Sequence, residues 1–153
     1  MTTVSTKRRR ITFKDESELI ADLEGLRKGW ESSGRWTLEQ ACWHLEFPIS
    51  HSLHDAAGKE PTAFQKRVQT YLEQVVADGW PDSTKEAPKE MAPPADASPE
   101  SIDRLIDSLR SMQGWKSPTV DAFLFGPVET KKFRRFVLIH AAHHLSFFES
   151  TKG

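Results

Sequence analysis

A chain of 153 residues is long enough for one domain with a real hydrophobic core, and 21 Lys plus Arg against 22 Asp plus Glu leave a net charge of -1, which encodes no overall attraction to nucleic acid or to an anionic membrane. The single cysteine, Cys42, excludes an intrachain disulfide and a Cys-rich zinc site. No apolar run approaches the ~20 residues that span a bilayer, and the N-terminus lacks the apolar stretch of a signal peptide, so a cytoplasmic protein is expected.

Residues 1–12 read as a basic N-terminal arm, with KRRR at 7–10 a solvated terminus rather than a nucleic-acid or lipid contact. Asp15 followed by Glu18 is a capping-box pattern, and Leu19, Leu23 and Leu26 then form a helical stripe that stops before Gly29. Thr37 with Gln40 is a second capping box and opens a segment predicted to run to about Ala57. Thr62 with Gln65 is a third. It starts an accessory helix at 62–78 that Gly79 and Pro81 close. From 81 to 98 the chain is rich in Pro, Ala and charge without apolar periodicity, the composition of a loop.

Ser98 as N-cap and Pro99 at the first helical position restart order, with Ile102, Leu105, Ile106 and Leu109 as the stripe and Gly114 as the stop. A Phe-rich connector, Pro118 to Pro127, leads to a last helix over roughly Val128 to Ser150. Strand alternation never holds for a full strand length, and no Asn-Gly or Asp-Gly turn joins suitable runs. The expectation is a single all-α domain over 1–153, a bundle of four core helices with an accessory helix and a long loop between the second and third core helices.

Three of the six histidines crowd into HAAHH at 140–144. Imidazole fills a core poorly, because at least one ring nitrogen needs a hydrogen-bond partner or a metal. At about 100° per residue, Phe133, Phe136, Val137, His144 and Phe147 fall within roughly 60° of His140, while Lys131, Arg134 and Arg135 lie on the far side. His140 and His144 therefore point inward, one turn apart and close enough to share an ion. His143 falls on the border of the stripe, as a rim residue.

In the second helix Glu39, Glu46 and Ser50 gather on one face, taken as the wet one, and His44 faces inward well away from them. Pro48 cannot bond the carbonyl of His44, so the helix is expected to kink or loosen at that turn. Gln40 lies one turn before His44, where it either orients a ligand or serves only its cap. His51 lies two turns beyond His44, roughly 10 Å along the axis and too far to share a metal with it, and His54 is near the polar face. Cys42 lies nearly opposite His44 as a small buried hydrophobe. The tryptophans Trp30, Trp36, Trp43, Trp80 and Trp115 read as packing between helices.

WTLEQACWHL at 36–45, FGPV at 125–128 and HAAHHL at 140–145 resemble the DinB/YfiT-like metal-binding four-helix bundles, and within them a bacterial branch of unknown function. The resemblance covers most of the chain apart from the loop. It implies that His44, His140 and His144 hold one divalent transition-metal ion, zinc or nickel first and iron or copper next. Three imidazoles leave a position open for water or substrate, and an ion so held lowers the pKa of a bound water or thiol.

By similarity the function is a metal-dependent enzyme on a small molecule, an S-transferase using a low-molecular-weight thiol such as bacillithiol or mycothiol, or a hydrolase. The alternative is a noncatalytic bundle that binds metal or a small ligand in sensing or stress response, and the bland outcome is histidines bonded to one another and to water. Gln40, His143 and Phe147 are the candidate supporting or substrate contacts. Phe147 stands where the branch commonly has Gln. The resemblance is compatible with a homodimer, and no nucleic-acid or membrane partner is expected.

Overall fold

The computed structural model describes residues 8–81 and 89–151, so residues 1–7 of the basic arm and 82–88 of the loop lie outside the described residues. The chain is mainly helical. Asp15 caps α1 (Glu16–Arg27) by accepting the Glu18 N–H, and reciprocal Thr–Gln capping boxes open α2 (Leu38–Ser50) and α3 (Ala63–Asp78). These N-termini sit where the local sequence predicts them, because a cap is written within four residues. α4 (Glu100–Gln113) departs slightly: Pro99 already has helical backbone angles and provides no side-chain cap.

Three expectations about helix ends and strands are corrected. α2 stops at Ser50, not at Ala57. The Phe47 carbonyl is taken by the His51 N–H, the Ser52 hydroxyl takes the Pro48 carbonyl, and Leu53 exchanges backbone hydrogen bonds with Asp121 at 2.9 and 2.8 Å. The Ser52 and Leu53 bonds replace further helical bonding and end α2 there. The last helix, α5 (Thr130–Leu145), is shorter at both ends, because two small antiparallel sheets occupy its expected flanks. β1 (Trp30–Ser32) pairs with β4 (Phe148–Ser150), with Ser32 opposite Phe148, and β2 (Thr119–Ala122) pairs with β3 (Gly126–Glu129).

Three- and four-residue strands are too short to display alternation, and the β2–β3 turn passes through Leu124 at φ 74° instead of the usual Asn-Gly or Asp-Gly. Gly126 follows at φ 73°, where a Cβ would run into the Gln65 side chain of α3, so the FGPV segment needs its glycine for conformation and for space.

α2 packs most extensively on α4, and α1 also lies against α4; α5 contacts α1, α2 and α3. The core between them is Leu19, Leu23, Leu38, Leu45, Leu105, Leu109, Phe133, Leu145 and their neighbours. α3 is more than accessory: Leu72 and Val75 enter that core, and its C-terminal Gly79, at φ 85°, turns the chain so that Trp80 lands on α5. The face of α2 read as wet is half-covered by α4, where Ser108 donates to Glu46 at 3.1 Å. A helical wheel says which residues share a face, not what packs on it. Among the described residues of the basic arm, Arg8 and Arg10 are exposed as expected, whereas Arg9 is docked. The Arg9 N–H donates to the Ser146 carbonyl at 2.6 Å, and its guanidinium forms a double hydrogen bond to Asp22. No helix among the described residues is long and apolar enough to cross a membrane.

Candidate metal centre

His44 on α2 and His140 and His144 on α5 converge. The Nε2 atoms of His44 and His140 are 3.0 Å apart, those of His140 and His144 are 3.1 Å apart, and ligand atoms of all three lie within 4.8 Å of one another. His44 and His140 are buried, at 1% and 4% exposure, and His144 is half-buried, so the cluster opens on the His144 side.

The first ring is set by the backbone. His44 Nδ1 lies 2.9 Å from the Met91 carbonyl oxygen. A carbonyl only accepts, so Nδ1 carries the proton and Nε2 presents a lone pair to the cluster. Met91 belongs to a short 3-10 turn, Lys89–Met91, within the segment read as a plain loop. Gln40 ties that segment down: its Oε1 accepts the Thr37 N–H in the capping box, and its Nε2 donates to the Pro94 carbonyl at 3.3 Å. Both ends of the Gln40 amide are thus engaged away from the cluster. Gln40 serves the site through the loop.

The His140 Nε2 faces both other Nε2 atoms, but a single N–H could bond only one of them. Three nitrogens turned on one point, at least one of them a lone pair, form an incomplete hydrogen-bond set and a suitable ligand set. Tetrahedral zinc held at 2.0–2.1 Å by each imidazole separates the nitrogens by about 3.4 Å, a few tenths of an ångström beyond the two Nε2 separations of 3.0 and 3.1 Å. The residues fit a transition-metal ion. Burial, chiefly, holds His44 below the ordinary imidazole value of 6.5, partly offset by the Met91 bond; burial first and then neighbouring imidazoles push His140 and His144 well below it. Neutral imidazole is the form a metal requires.

Two tryptophans, read from the sequence only as packing, wall the cluster. Trp36 stacks on His144, with ring centroids 5.2 Å apart, and tilts over His44 at 4.8 Å. Trp80 stacks on His140 at 4.7 Å and on His143 at 5.2 Å. The missed signal was position: one Trp immediately precedes the N-cap of α2 and the other follows the glycine that ends α3, both places where a side chain is folded back over a helix end.

The remaining candidates separate. His143 is half-buried at the rim, within 3.1 Å of the Arg8 guanidinium. Phe147 lies edge-on to His143 and under the Arg8 guanidinium, whose carbon is 4.4 Å from the ring centroid. His51 is exposed and stacked on Phe47, and His54 is exposed and stacked on Trp115, both apart from the cluster. Cys42 is fully buried, and burial pushes its thiol far up, so it is no nucleophile.

No curated protein and no solved structure matches the chain. A family model does match, over residues 5–151, and the chain therefore belongs to the family described as Protein of unknown function (DUF1569).

Proposed function

We propose that this protein is a divalent-metal-dependent enzyme of the DinB/YfiT-like four-helix-bundle type, using His44, His140 and His144 to hold one ion and acting on a small molecule with a low-molecular-weight thiol as cosubstrate. The observation that carries the reading is the meeting of three Nε2 atoms, one of them fixed as a lone pair by the Met91 carbonyl. The contacts α1–α4, α4–α2, α2–α5 and α5–α1 close a ring of four helices, which supports the bundle.

The bound ion would supply Lewis acidity that makes a thiol or water nucleophilic at neutral pH. Met91 and Gln40 orient His44, Trp36 and Trp80 exclude water from two sides, and the half-exposed side of His144 is where substrate approaches. Among the described residues no carboxylate hydrogen-bonds to His44, His140 or His144. A thiol, which ionises near 8.5, needs a smaller pKa shift from a bound ion than water does, which favours a thiol. The transfer forms a sulfur–carbon bond, the leaving group departs with its electron pair, and the thiol proton passes to solvent.

A second reading, a noncatalytic metal- or ligand-binding protein, draws on Phe147, which places an aromatic ring where the resembling branch commonly has a polar group. Untagged protein is expected to retain about one equivalent of a transition metal, with zinc or nickel first, and His140→Ala to retain none. Metal-loaded protein tested with a panel of low-molecular-weight thiols and an electrophile separates the readings: thiol consumption supports the enzyme, and none across the panel supports the binder. Stable protein that takes up neither zinc nor nickel overturns both.

A further inference from the structure

In a chain whose charges nearly cancel, Arg8, Arg9, Arg10 and Arg135 line one groove of about 340 Å³, together with Trp80 and His143, and no Asp or Glu among the described residues lines it. Arg9 is neutralised by Asp22, at 2.8 and 2.9 Å, yet its Nε–H is buried without an acceptor among the described residues. The other three guanidinium groups pair with no carboxylate among the described residues. Arg8 donates to the Ser146 hydroxyl, Arg135 reaches only the Phe13 carbonyl at 3.5 Å, and Arg10 is exposed. Each guanidinium carries five N–H donors, so most of these remain available.

Three unneutralised positive charges around one concavity repel one another, and a bound anion converts that repulsion into attraction. The planar fork of Arg suits a carboxylate or phosphate, and the indole face of Trp80 offers an apolar wall to the rest of a ligand.

We infer that this groove, formed by residues 8–13 against α3 and α5, is a binding site for a small molecule bearing an oxyanion, either carboxylate or phosphate. Trp80 and His143 belong to both the groove and the surroundings of the histidine cluster, with Trp80 stacked on His140 and on His143. The groove therefore supplies recognition beside the metal centre; that adjacency matters for catalysis only if the metal reading holds, whereas the binding itself does not depend on it.

The test is calorimetric titration of the full chain, in a buffer free of both probes, with inorganic phosphate in one arm, succinate in a second and a short DNA duplex in a third. One small oxyanion is expected to bind with unit stoichiometry, to weaken with added salt, and to bind at least about tenfold more weakly to Arg10→Ala/Arg135→Ala, whose helicity and metal content match wild type. Chelator-stripped wild-type protein is expected to bind it equally well, which keeps failure of the metal reading distinct. Three results overturn the inference: neither phosphate nor succinate binds folded wild type, the double variant binds like wild type, or the duplex binds while both small ions do not.

Discussion

Two of the places where α5 meets buried polar groups are built on opposite logic. About 120° around the helix from His140, Arg134 grips Glu16 of α1 with two hydrogen bonds, at 2.6 and 2.8 Å, although Glu16 is only 1% exposed. Donors meet acceptors there and positive charge meets negative, so the pair is complete. At the histidine cluster like meets like: three Nε2 atoms face one another, and His44 brings a lone pair. A buried polar set that satisfies itself holds helices together, whereas one that cannot is shaped for a third party.

The largest expected difference between them is in metal binding. His140→Ala should weaken zinc affinity at least about a hundredfold, since it removes the nitrogen that faces both others, while Glu16→Ala should leave zinc affinity unchanged. Competition against a chromophoric chelator measures both. Stability should rank the other way in metal-free protein. Glu16→Ala strands Arg134 against α1 and should cost about 2 kcal/mol in urea denaturation, the usual cost of breaking a buried pair discounted because Arg134 is one-third exposed. Comparable losses of zinc affinity in the two variants would erase the distinction.

Acid should sharpen the contrast next. In the unfolded chain the three imidazoles take up protons near 6.5, and in the folded chain burial keeps His44, His140 and His144 neutral to lower pH. Below about 6.5 the unfolded state therefore binds more protons. Metal-free stability should fall as pH drops through that value, by at most ~1.4 kcal/mol per pH unit for each ring, and these rings should contribute no slope above about 7. Glu16→Ala should keep this acid slope, and His140→Ala should lose part of it. Denaturation midpoints at a series of pH values read the difference directly.

The same contrast explains what the sequence discloses. Capping boxes and the i, i+4 histidine pair are local patterns, so the starts of α2 and α3 and the inward direction of His140 and His144 are legible from residue types alone. The end of α2 at Ser50 and the pairing of β1 with β4 depend on partners more than sixty residues away, Asp121 for Leu53 and Phe148 for Ser32, and no local pattern encodes them. The Met91 carbonyl is hidden for a deeper reason: a backbone acceptor is the same in every residue, so nothing in the Lys89–Met91 segment marks it as the group that sets the His44 tautomer. Arg9 looks as solvated as its neighbours Arg8 and Arg10 until Ser146 and Asp22 are placed beside it.

The smallest expected effect concerns how far the support of the cluster extends. Gln40 is a positioning residue with two separable duties, an oxygen that accepts the Thr37 N–H and a nitrogen that donates to the Pro94 carbonyl in the segment carrying Met91. Gln40→Ala removes both and should cost about 1 kcal/mol of stability together with a few-fold of zinc affinity. Gln40→Glu keeps the acceptor, because Glu serves equally at that capping position, but loses the donor. It should therefore melt close to wild type at neutral pH while binding zinc as weakly as Gln40→Ala. If Gln40→Glu instead matches wild type in zinc affinity, the Met91 carbonyl is held in place without the Pro94 tie, and the loop is as self-sufficient as the Glu16–Arg134 pair on the other side of α5.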